Sequence, residues 1–507
     1  MESIEIKKKD IFFLRALELD ELIIIVLVVS LITLLISVYL WDRHQKQHAV
    51  LRNFPIVGHF RYFFEYLGDF FRQYFFASDR EELPFNRAER SWVYRAAKNV
   101  DTTIGFGSTR PLHNTGTVYF VSAPFPPLAT NQATIRPVTI GPYCAHPYTS
   151  NHIFNISAMS YGAISKPAIQ ALAKGAKKAG CWLNTGEGGL SPYHLEYGCD
   201  IVMQIGTAKY GVRDAEGHLS DKRLRELAAE KSIKMFEIKL SQGAKPGKGG
   251  ILPAVKVTEE VAKIRGILPH VDSISPNRHV DISNVEELLD SIEHIRQITG
   301  KPVGCKFVLG GYEWLHDLCL AIHKRGSQFA PDFITLDSSD GGTGASPQGL
   351  MDYMGIPIQE ALPNLVDILV MYNLRERIKV IASGKLITPS GVAWALCAGA
   401  DFVNSARGFM FALGCIQSMQ CHKNTCPTGV ATHDLRLQRG LVVTDKAERV
   451  YHYANNMAHE VAIICHSCGV DEPRQLQRQH ARIVREDGFS ISLAEIFPNK
   501  KPLPEYL

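Results

Sequence analysis

Eight short apolar runs alternate with helical patterns in the middle of this chain, and this alternation limits its fold more than any other feature. The runs are IFNISAMS (153–160), WLNTGE (182–187), IVMQIG (201–206), MFEIKL (235–240), VGCKFV (303–308), FITLDSS (333–339), KVIASG (379–384) and DFVNSARG (401–408). Strands buried on both faces are apolar along their whole length. Eight such strands separated by helices predict an α/β fold, a (β/α)8 TIM barrel over residues 151–410. A doubly wound sheet is the alternative, but no run is followed by G-x-G-x-x-G.

Three further segments surround this pattern. VDSISP (271–276) is a ninth apolar run, which we assign to an insertion between the fourth and fifth barrel strands. One helix is expected to begin near Lys166 and another after Thr388, a good N-cap. TDKAERVYHYANNMAHEVAIICHS (444–467) has a long helical pattern, so a C-terminal helical segment is expected at 441–507.

The N-terminal region contains twenty consecutive residues without a charge, LIIIVLVVSLITLLISVYLW (22–41). At about 1.5 Å per residue, a helix of this length crosses a hydrocarbon core of roughly 30 Å. Asp42, Arg43 and His44 follow it, in place of the small residues of a signal-peptide cleavage site. We therefore expect a retained single-pass transmembrane helix, with a buried core helix as the alternative. Basic residues are equally frequent before and after this helix, so their distribution does not predict the orientation of the helix in the membrane.

The expected domain organisation follows from these segments. Residues 1–21 form an N-terminal tail, 22–41 the transmembrane helix, 42–150 an aromatic-rich juxtamembrane segment with irregular cover, 151–410 the barrel, 411–440 a cysteine-containing loop and 441–507 the helical segment. The aromatic-rich part, from Phe54 to Phe76, either lies in the membrane interface or packs against the main domain.

Composition excludes two classes of protein. The net charge is only +4, and no stripe of Arg and Lys with interleaved aromatics is visible, so we expect no nucleic-acid partner. Eleven cysteines in 507 residues, most of them isolated, do not make a secreted disulfide framework. They are typical of reduced thiols in a cytosolic compartment, together with one metal site.

Cys415, Cys421 and Cys426 lie close together in CIQSMQCHKNTCPTG, with the spacing C-x5-C-x4-C. Thiolates bind iron, and three of them suit an iron–sulfur cluster that lacks one iron corner, or a four-iron cluster with a ligand elsewhere. A structural zinc site is the alternative, completed by Cys465, Cys468 or a histidine. Buried structural thiols are a third interpretation. For the CxxC at 465–468, inside a helical pattern, we favour packing.

A glycine-rich sequence, SSDGGTGASP (338–347), follows the sixth run and predicts a loop whose backbone N–H groups approach a ring or a phosphate. Ser383-Gly384 and Arg407-Gly408 end the last two runs, the strands that supply the anion site in phosphate-binding barrels. Arg407 can bind a phosphate with two hydrogen bonds, although a surface ion pair is the alternative for it.

Two lysines, Lys239 and Lys306, stand inside apolar runs, where charges are rare without a purpose. A cation beside a reduced flavin stabilises its developing negative charge. The alternative is an ion pair inside the barrel, with Glu187 or Asp340. The loop after Lys239 carries Gln242, Lys245 and Lys248 among glycines, which suits an anionic substrate or, alternatively, a solvated surface loop.

Five motifs resemble the flavin domain of glutamate synthase in order and spacing. They are SAMSYGAIS, NTGEGG, EIKLSQGAKPGKGG, DGGTGASP and CIQSMQCHKNTCPTGVAT, within residues 150–470. The whole chain more narrowly resembles the short, membrane-anchored FMN-binding glutamate synthase family, through FPIVGHFRYFFEYLGDFFRQYFF and PFNRAERSWVYRAAK.

The resemblance implies an FMN-bearing barrel and a 3Fe-4S cluster on Cys415, Cys421 and Cys426. The residues expected at the flavin are Ala158, Met159, Ser160, Gln204, Lys306, Asp340, Gly341, Gly342, Ser383, Gly384, Arg407 and Gly408. The dicarboxylate substrate would be bound by Lys239, Gln242 and Lys245, and the catalytic candidates are Lys306, Lys239 and Glu187.

The activity implied by the resemblance is an FMN-dependent oxidoreductase reaction that gives L-glutamate. Electrons from a ferredoxin-like donor would enter through the cluster, and reduced FMN would transfer hydride to the imine of 2-oxoglutarate and ammonia, or other glutamine-derived nitrogen. This electron supply places the catalytic domain on the cytoplasmic side of the cell (inner) membrane. Alternatives are a different 2-oxo acid or imine as substrate, and an electron-transfer subunit of a membrane complex.

Two departures from the family pattern qualify this expectation. Residues 1–150 leave no room for the glutaminase domain of full glutamate synthases, so nitrogen would come from free ammonia or a separate glutaminase subunit. Lys248 stands where the family loop usually has Glu, and SPNRHVD replaces a proline–histidine run, which puts the exact 2-oxo acid in question.

Overall fold

The computed structural model describes residues 2–128 and 132–506, with side chains described from residue 21 onward apart from residue 69. The chain forms two compact units, Met1–Arg87 and Ala88–Leu507. The first unit contains helices α1 (Glu2–His44), α2 (Ala49–Asn53) and α3 (Gly58–Phe71), and α3 continues into one turn of π-helix, Arg72–Phe76.

Within the described residues, one helical segment is long and apolar enough to cross a membrane. It is Glu21–His44, the second half of α1, with a mean hydropathy of 3.0 and none of its apolar window buried. The predicted span at 22–41 lies inside this segment, and the helix already begins at Glu2, so the predicted tail continues the same helix.

The second unit is built around a closed barrel of eight parallel strands, as predicted. Its strands are β4 (Phe154–Ile156), β5 (Leu183–Asn184), β6 (Ile201–Ile205), β7 (Ile233–Lys239), β10 (Val303–Phe307), β11 (Phe333–Asp337), β12 (Lys379–Ser383) and β13 (Phe402–Ser405), in that order around the barrel. Seven of them lie within one of the apolar runs, and β7 begins two residues before its run, at Ile233. The structure therefore confirms the TIM-barrel prediction and excludes the open sheet.

Three short strands precede the barrel, and four more lie outside it. They are β1 (Val118–Phe120), β2 (Val138–Ile140), β3 (Tyr148–Ser150), β8 (Ile251–Leu252), β9 (Ser273–Ile274), β14 (Ala481–Val484) and β15 (Ser490–Ser492). The ninth apolar run forms β9, which pairs antiparallel with β8 in an insertion between the fourth and fifth barrel strands, as predicted.

The helices of the second unit follow the strands. They are α4 (Arg87–Ala97), α5 (Lys166–Ala179), α6 (Pro192–Leu195), α7 (Asp221–Ala229), α8 (Glu259–Arg265), α9 (Val285–Thr299), α10 (Glu313–Arg325), α11 (Gln348–Tyr353), α12 (Ile358–Met371), α13 (Pro389–Cys397), α14 (Arg407–Leu413), α15 (Leu435–Gln438), α16 (Val443–Ser467) and α17 (Leu493–Ile496). The Thr388 hydroxyl accepts the Gly391 N–H, which confirms the predicted cap of α13.

Apolar side chains fill the end of the barrel at which its strands begin. Trp182 directly precedes β5, while Phe333 and Phe402 are the first residues of β11 and β13, and all three are fully buried in one cluster. This packing leaves the opposite end, where the strands finish, open for a site, as in other barrels of this kind.

The C-terminal region contains more than the predicted helix. The long helix α16 is present and packs on α5, where Gly175 leaves room for Val450 because a Cβ at Gly175 would stand 2.5 Å from it. Strands β14 and β15 then join β1 in a three-stranded antiparallel sheet. The helical prediction for 441–507 is thus incomplete, because ARIV and SIS are too short and too polar to show a strand period.

Candidate active site

A cavity of about 1200 Å³, including the solvent at its mouth, lies at the carboxyl ends of the barrel strands. It brings together most of the predicted residues: Ala158, Met159, Ser160, Glu187, Gln204, Lys239, Gln242, Lys245, Lys306, Gly342, Ser383, Gly384, Arg407 and Cys421 all line it. They come from the ends of different strands, so only the closed barrel places them around one space.

Three predicted cofactor residues are absent from the cavity lining. The Asp340 carboxylate is turned toward Lys385 Nζ, 2.9 Å away, and accepts a hydrogen bond from the Ser338 hydroxyl. Gly341 lies against the backbone of Gly243, where a side chain on Gly243 would overlap it. Gly408 packs beneath the Tyr453 hydroxyl. These three residues shape the loops around the cavity rather than its surface.

One wall of the cavity carries a cluster of buried charges around Glu187. Its carboxylate lies 3.0 Å from Lys239 Nζ, and Lys239 also donates to the Gln242 amide oxygen. Burial would raise the pKa of Glu187, but the positive charges of Lys239, Lys245 and Arg265 outweigh burial and hold that pKa below its ordinary value. Three cations therefore share one carboxylate, and the excess positive charge suits an anionic ligand.

Lys245 is 5% exposed, so the alternative of a solvated surface loop is wrong at this position, while Lys248 three residues later is exposed. Burial lowers the pKa of Lys245 to about 8, assisted by Lys239 and opposed by Glu187. An amine in this range can hold or give up a proton near neutral pH.

The floor of the cavity carries the second predicted lysine. Lys306 Nζ lies 3.2 Å from the Asp337 carboxylate, which also accepts the Gly243 N–H at 2.9 Å. Of the two ion-pair partners offered as the alternative, Glu187 is correct for Lys239, whereas Asp340 is wrong for Lys306. Asp337 ends β11, and Thr335, two residues earlier, pairs in register with Lys306, so the two side chains share one face of the sheet.

A buried carboxylate, Glu237, orients the neighbouring polar groups. It accepts hydrogen bonds from the Gln204 amide at 2.6 Å, the Asn184 amide at 2.8 Å and the Thr335 hydroxyl at 2.6 Å. This network fixes the Gln204 side chain, whose polar end is then available beside Lys306.

The loops after β12 and β13 form the part of the cavity that suits a phosphate. Gly384 has a φ of +120° and approaches Ser338 so closely that no side chain would fit. Arg407 stands at the start of α14, where its guanidinium donates to the Thr343 carbonyl and to Cys421 Sγ, the latter at 3.7 Å. The cavity thus continues from the glycine-rich loops to the cysteine loop.

The cysteine loop is held in an unusual backbone conformation. Gln417, Met419 and Asn424, all between the three cysteines, have φ values of +59°, +53° and +61°. Such left-handed backbone is costly for residues with side chains and persists where surrounding structure enforces it. Here the Asn424 carbonyl and side chain accept hydrogen bonds from Thr432 and from the His433 N–H, and the Tyr94 hydroxyl donates to the Cys415 carbonyl.

The surroundings of the three thiols differ, and those of Cys426 favour anionic sulfur. Burial would raise the pKa of Cys426, but hydrogen bonds from Thr428 and the backbone N–H groups of Ala431 and Val430 lower it below its ordinary value. Cys421 accepts from Arg407. By contrast, burial raises the pKa of Cys415, against the effect of Arg407.

A buried ammonium group, that of Lys256, joins the cysteine loop to the barrel. Lys256 is 2% exposed, and its Nζ donates to the carbonyls of Ala163, of Cys421 at 3.2 Å and of Ala431 at 3.1 Å. Burial lowers the pKa of Lys256 to about 8, and the nearby sulfurs of Cys421 and Cys426 oppose that effect.

Within the described part of the chain, no three His, Cys, Asp or Glu side chains converge closely enough to hold a single metal ion. The three thiols of the cysteine loop are the residues that could hold an iron–sulfur cluster, because thiolates bind iron. Lys256, Arg407 and the N–H groups around Cys426 supply the compensating positive charge. Cys465 and Cys468 interact with Cys397 inside the helical region, which favours the packing interpretation for that CxxC.

A model of the conserved region in glutamate synthase matches residues 131–471. The chain belongs to the glutamate synthase family. The glutamate synthase large subunit-like protein YerD of Bacillus subtilis (strain 168) is 40% identical over 501 residues, covering 91% of this chain and 95% of that protein. The similarity to YerD therefore covers more of the chain than the family model does.

Other relatives match only the barrel-containing part. An archaeal-type glutamate synthase [NADPH] of Thermotoga sp. (strain RQ2) is 32% identical over 346 residues, covering 68% of this chain and 64% of its own length. The glutamate synthase [NADPH] large chain of Bacillus subtilis (strain 168) is 32% identical over 314 residues, 61% of this chain but only 19% of that protein. This glutamate synthase family member thus spans less than two thirds of these relatives.

Two solved structures resemble the chain at low sequence identity. Mandelate oxidase with (S)-4-hydroxymandelic acid has a TM-score of 0.48 at 14% identity, covering 78% of this chain and 98% of the other. The flavin-binding domain of baker's yeast flavocytochrome b2 has a TM-score of 0.46 at 13% identity, covering 82% and 85%. At these values neither likeness informs the substrate or cofactor of this glutamate synthase family member.

Four residues of the site were not predicted from the sequence: Arg265, Glu237, Asp337 and Lys256. Glu237 carried a usable signal, because it stands two residues before Lys239 in the same apolar run and therefore on the same face. Arg265 and Lys256 lie in the insertion after β7, where no strand or motif marks them. Only the fold brings them to the cavity and to the cysteine loop.

Proposed function

We propose that this chain is an FMN- and iron–sulfur-dependent oxidoreductase of glutamate synthase type, which makes L-glutamate from 2-oxoglutarate and ammonia. The observation that carries the proposal is the continuity of one cavity from the buried charge cluster, past Lys306 and the glycine-rich loops, to Cys421. Family membership supports the same reaction. The overall change adds ammonia, two electrons and two protons to the 2-oxo acid and releases one water.

The residues of the cavity fit FMN. Backbone at Ala158–Ser160 and the side chains of Gln204 and Lys306 would bind the ring, while Ser383, Gly384 and Arg407 would bind the phosphate. When bound, FMN supplies a hydride to carbon and a three-iron cluster on Cys415, Cys421 and Cys426 supplies electrons singly. Lys306, held by Asp337, lies at the cavity floor, where a cation would stabilise negative charge.

The charge cluster around Glu187 would bind the dicarboxylate. Lys239, Lys245 and Arg265 provide more positive charge than Glu187 neutralises, so a dianion would restore the balance. Gln242, fixed by Lys239, can donate its amide N–H groups to a carboxylate. Binding would thus hold the 2-oxo carbon near the cavity floor and exclude water from it.

Lys245 is the group in this cluster best placed to exchange a proton. Its pKa is about 8, so both of its protonation states are available near neutral pH. Charged Lys245 can protonate the oxygen that leaves as water, and neutral Lys245 can accept a proton from the incoming nitrogen. The Glu187 carboxylate would hold Lys239 in place through their 3.0 Å contact. We assign Lys245 the proton transfer and Glu187 and Lys239 the positioning of the substrate.

The proposal includes placement in a membrane. Its support is the apolar segment Glu21–His44. We propose that this segment crosses the cell (inner) membrane once and that the catalytic unit is cytoplasmic, where a ferredoxin-like donor and ammonia, or a separate glutaminase subunit, are available.

Anaerobic turnover measurements test the proposed reaction. The purified protein, reduced with a low-potential donor, is incubated with ammonia or glutamine and a panel of 2-oxo acids, and amino acids are quantified. We expect glutamate from 2-oxoglutarate with ammonia. Production of other amino acids only would contradict glutamate synthesis while keeping the cofactors. No turnover on any 2-oxo acid, with a stoichiometric partner co-purifying, would favour the electron-transfer subunit.

A second candidate function keeps the cofactors and changes the 2-oxo acid. It is favoured by Lys248, which replaces the usual family Glu and is exposed on the loop that carries Lys245. The substitution Lys248→Glu separates the two candidates. A shift of substrate preference toward 2-oxoglutarate in the variant would support a different 2-oxo acid as the natural substrate. An unchanged substrate preference would support glutamate synthesis.

A further inference from the structure

The first unit carries an aromatic surface that the enzymatic proposal does not use. We call residues 60–76, the greater part of α3 with the π-helical turn after it, the aromatic segment. Phe60, Phe63, Phe64 and Phe71 recur at helical spacing on one face of α3, and Glu65 lies across the helix from them. The segment is therefore amphipathic, with aromatic side chains making up most of its apolar face.

Within the first unit, this apolar face is not covered by other described residues. Phe60 is 59% exposed and Phe64 63%, and the exposure rises to 74% at Phe75 and 76% at Phe76. Soluble proteins rarely expose so many large apolar side chains together, and such a patch marks a surface that is covered by something else. Aromatic side chains in particular favour the region between the headgroups and acyl chains of a membrane.

A buried carboxylate connects the aromatic segment to the apolar helix α1. Asp42, near the end of α1, has a side chain that is 1% exposed. It accepts the Ile56 N–H at 2.9 Å and a hydrogen bond from His59 Nε2, also at 2.9 Å. His59 is the second residue of α3, so this contact ties the start of the aromatic segment to the end of α1.

We propose that the aromatic segment lies in the headgroup region of a lipid bilayer, held there by the Asp42–His59 contact. The inference rests on the proposed membrane crossing by α1, because that crossing puts Asp42 at the membrane surface. The amphipathic spacing then directs Phe60, Phe63, Phe64 and Phe71 toward the acyl chains and Glu65 toward water. In this position the aromatic segment fixes the depth of α1 in the bilayer.

Site-specific fluorine NMR of the full-length protein in nanodiscs tests this placement. A fluorinated phenylalanine is introduced at position 64, 75 or 333, and line widths are compared with nitroxide-labelled lipid and with a water-soluble gadolinium chelate. We expect the signals at 64 and 75 to broaden several-fold with the labelled lipid and little with the chelate. Phe333, buried in the barrel, should respond to neither agent.

Broadening of the signals at 64 and 75 by the gadolinium chelate, with little effect of the labelled lipid, would overturn the proposal, since it would put the segment in water. Insensitivity to both agents would also overturn it, because the segment would then be covered by protein, either another surface of this chain or a second copy. Membrane crossing by α1 is checked separately, by resistance of the native protein to alkaline extraction from membranes. A protein that is extracted would contradict the crossing itself.

Discussion

At the scale of single residues, burial gives the charged side chains of the cavity their chemical character. Lys239, Lys245, Lys306 and Lys256 would be ordinary surface lysines elsewhere, but each is less than one tenth exposed here. All except Lys245 are also held by the acceptors named above. The sequence located three of them through their position in apolar runs or in a glycine-rich loop. It could not pair Lys306 correctly, because Asp337 and Asp340 are distinguished only by strand register and loop direction.

Lys245 predicts a pH dependence of substrate binding. Its pKa is about 8, so it is charged below that pH and neutral above it. We expect the affinity for 2-oxoglutarate, measured by calorimetry on the oxidised protein, to fall as the pH rises through 8. Lys245→Arg should move this fall to higher pH, since arginine stays charged. An affinity independent of pH between 7 and 9.5 would contradict a role for the Lys245 charge.

Substitution of Lys256 is expected to change the reduction potential or the iron content of the proposed cluster. Replacing it in Lys256→Met removes a buried positive charge beside Cys421 and leaves three carbonyls unpaired. We expect either a lower reduction potential of the cluster in an EPR-monitored titration or loss of iron, with flavin retained. The matched control is Lys301→Met, because Lys301 is also buried and donates only to the carbonyls of Glu230 and Ile233, at the other end of the barrel.

Lys301→Met should leave both the iron content and the potential unchanged. Equal effects in the two variants would mean that Lys256 acts only through the stability of the fold. Wild-type protein without iron would contradict the proposed function itself rather than the role of Lys256.

At the scale of secondary-structure elements, burial on both faces explains which predictions succeeded. All eight barrel strands were predictable because parallel strands covered by helices are apolar throughout. Strands β14 and β15 were not, since they belong to a small sheet whose residues are partly exposed, such as Arg482 and Ser490. The apolar segment of α1 was predictable from composition, whereas the Asp42–His59 contact depends on a turn that the sequence does not reveal.

The packing of α16 on α5 predicts a specific sensitivity to side-chain volume. A Cβ at Gly175 would stand 2.5 Å from Val450, so Gly175→Ala should force the two helices apart and destabilise the fold by about 1–3 kcal/mol. The control is Gly391→Ala in α13, where the nearest atom would be 3.5 Å from the new Cβ. Chemical denaturation of both variants checks this, and equal stabilities would contradict the tight packing.

At the scale of the whole molecule, one chain combines a barrel cavity with a cysteine loop and an apolar helix. The family assignment covers residues 131–471, and the similarity to YerD extends over nearly the whole chain. The sequence motifs predicted the components of the site, but motifs more than 150 residues apart, such as SAMSYGAIS and the cysteine run, meet only through closure of the barrel.

The central claim is that the three loop cysteines and the barrel cavity form one redox site. It is tested most directly by anaerobic purification of the wild type and of Cys421→Ser, with flavin and metal quantified and EPR spectra recorded. We predict bound FMN and a three-iron signal in the wild type, and in the variant loss of that signal with flavin retained. A colourless wild-type protein that contains zinc, or a cluster signal unchanged in Cys421→Ser, would contradict the claim.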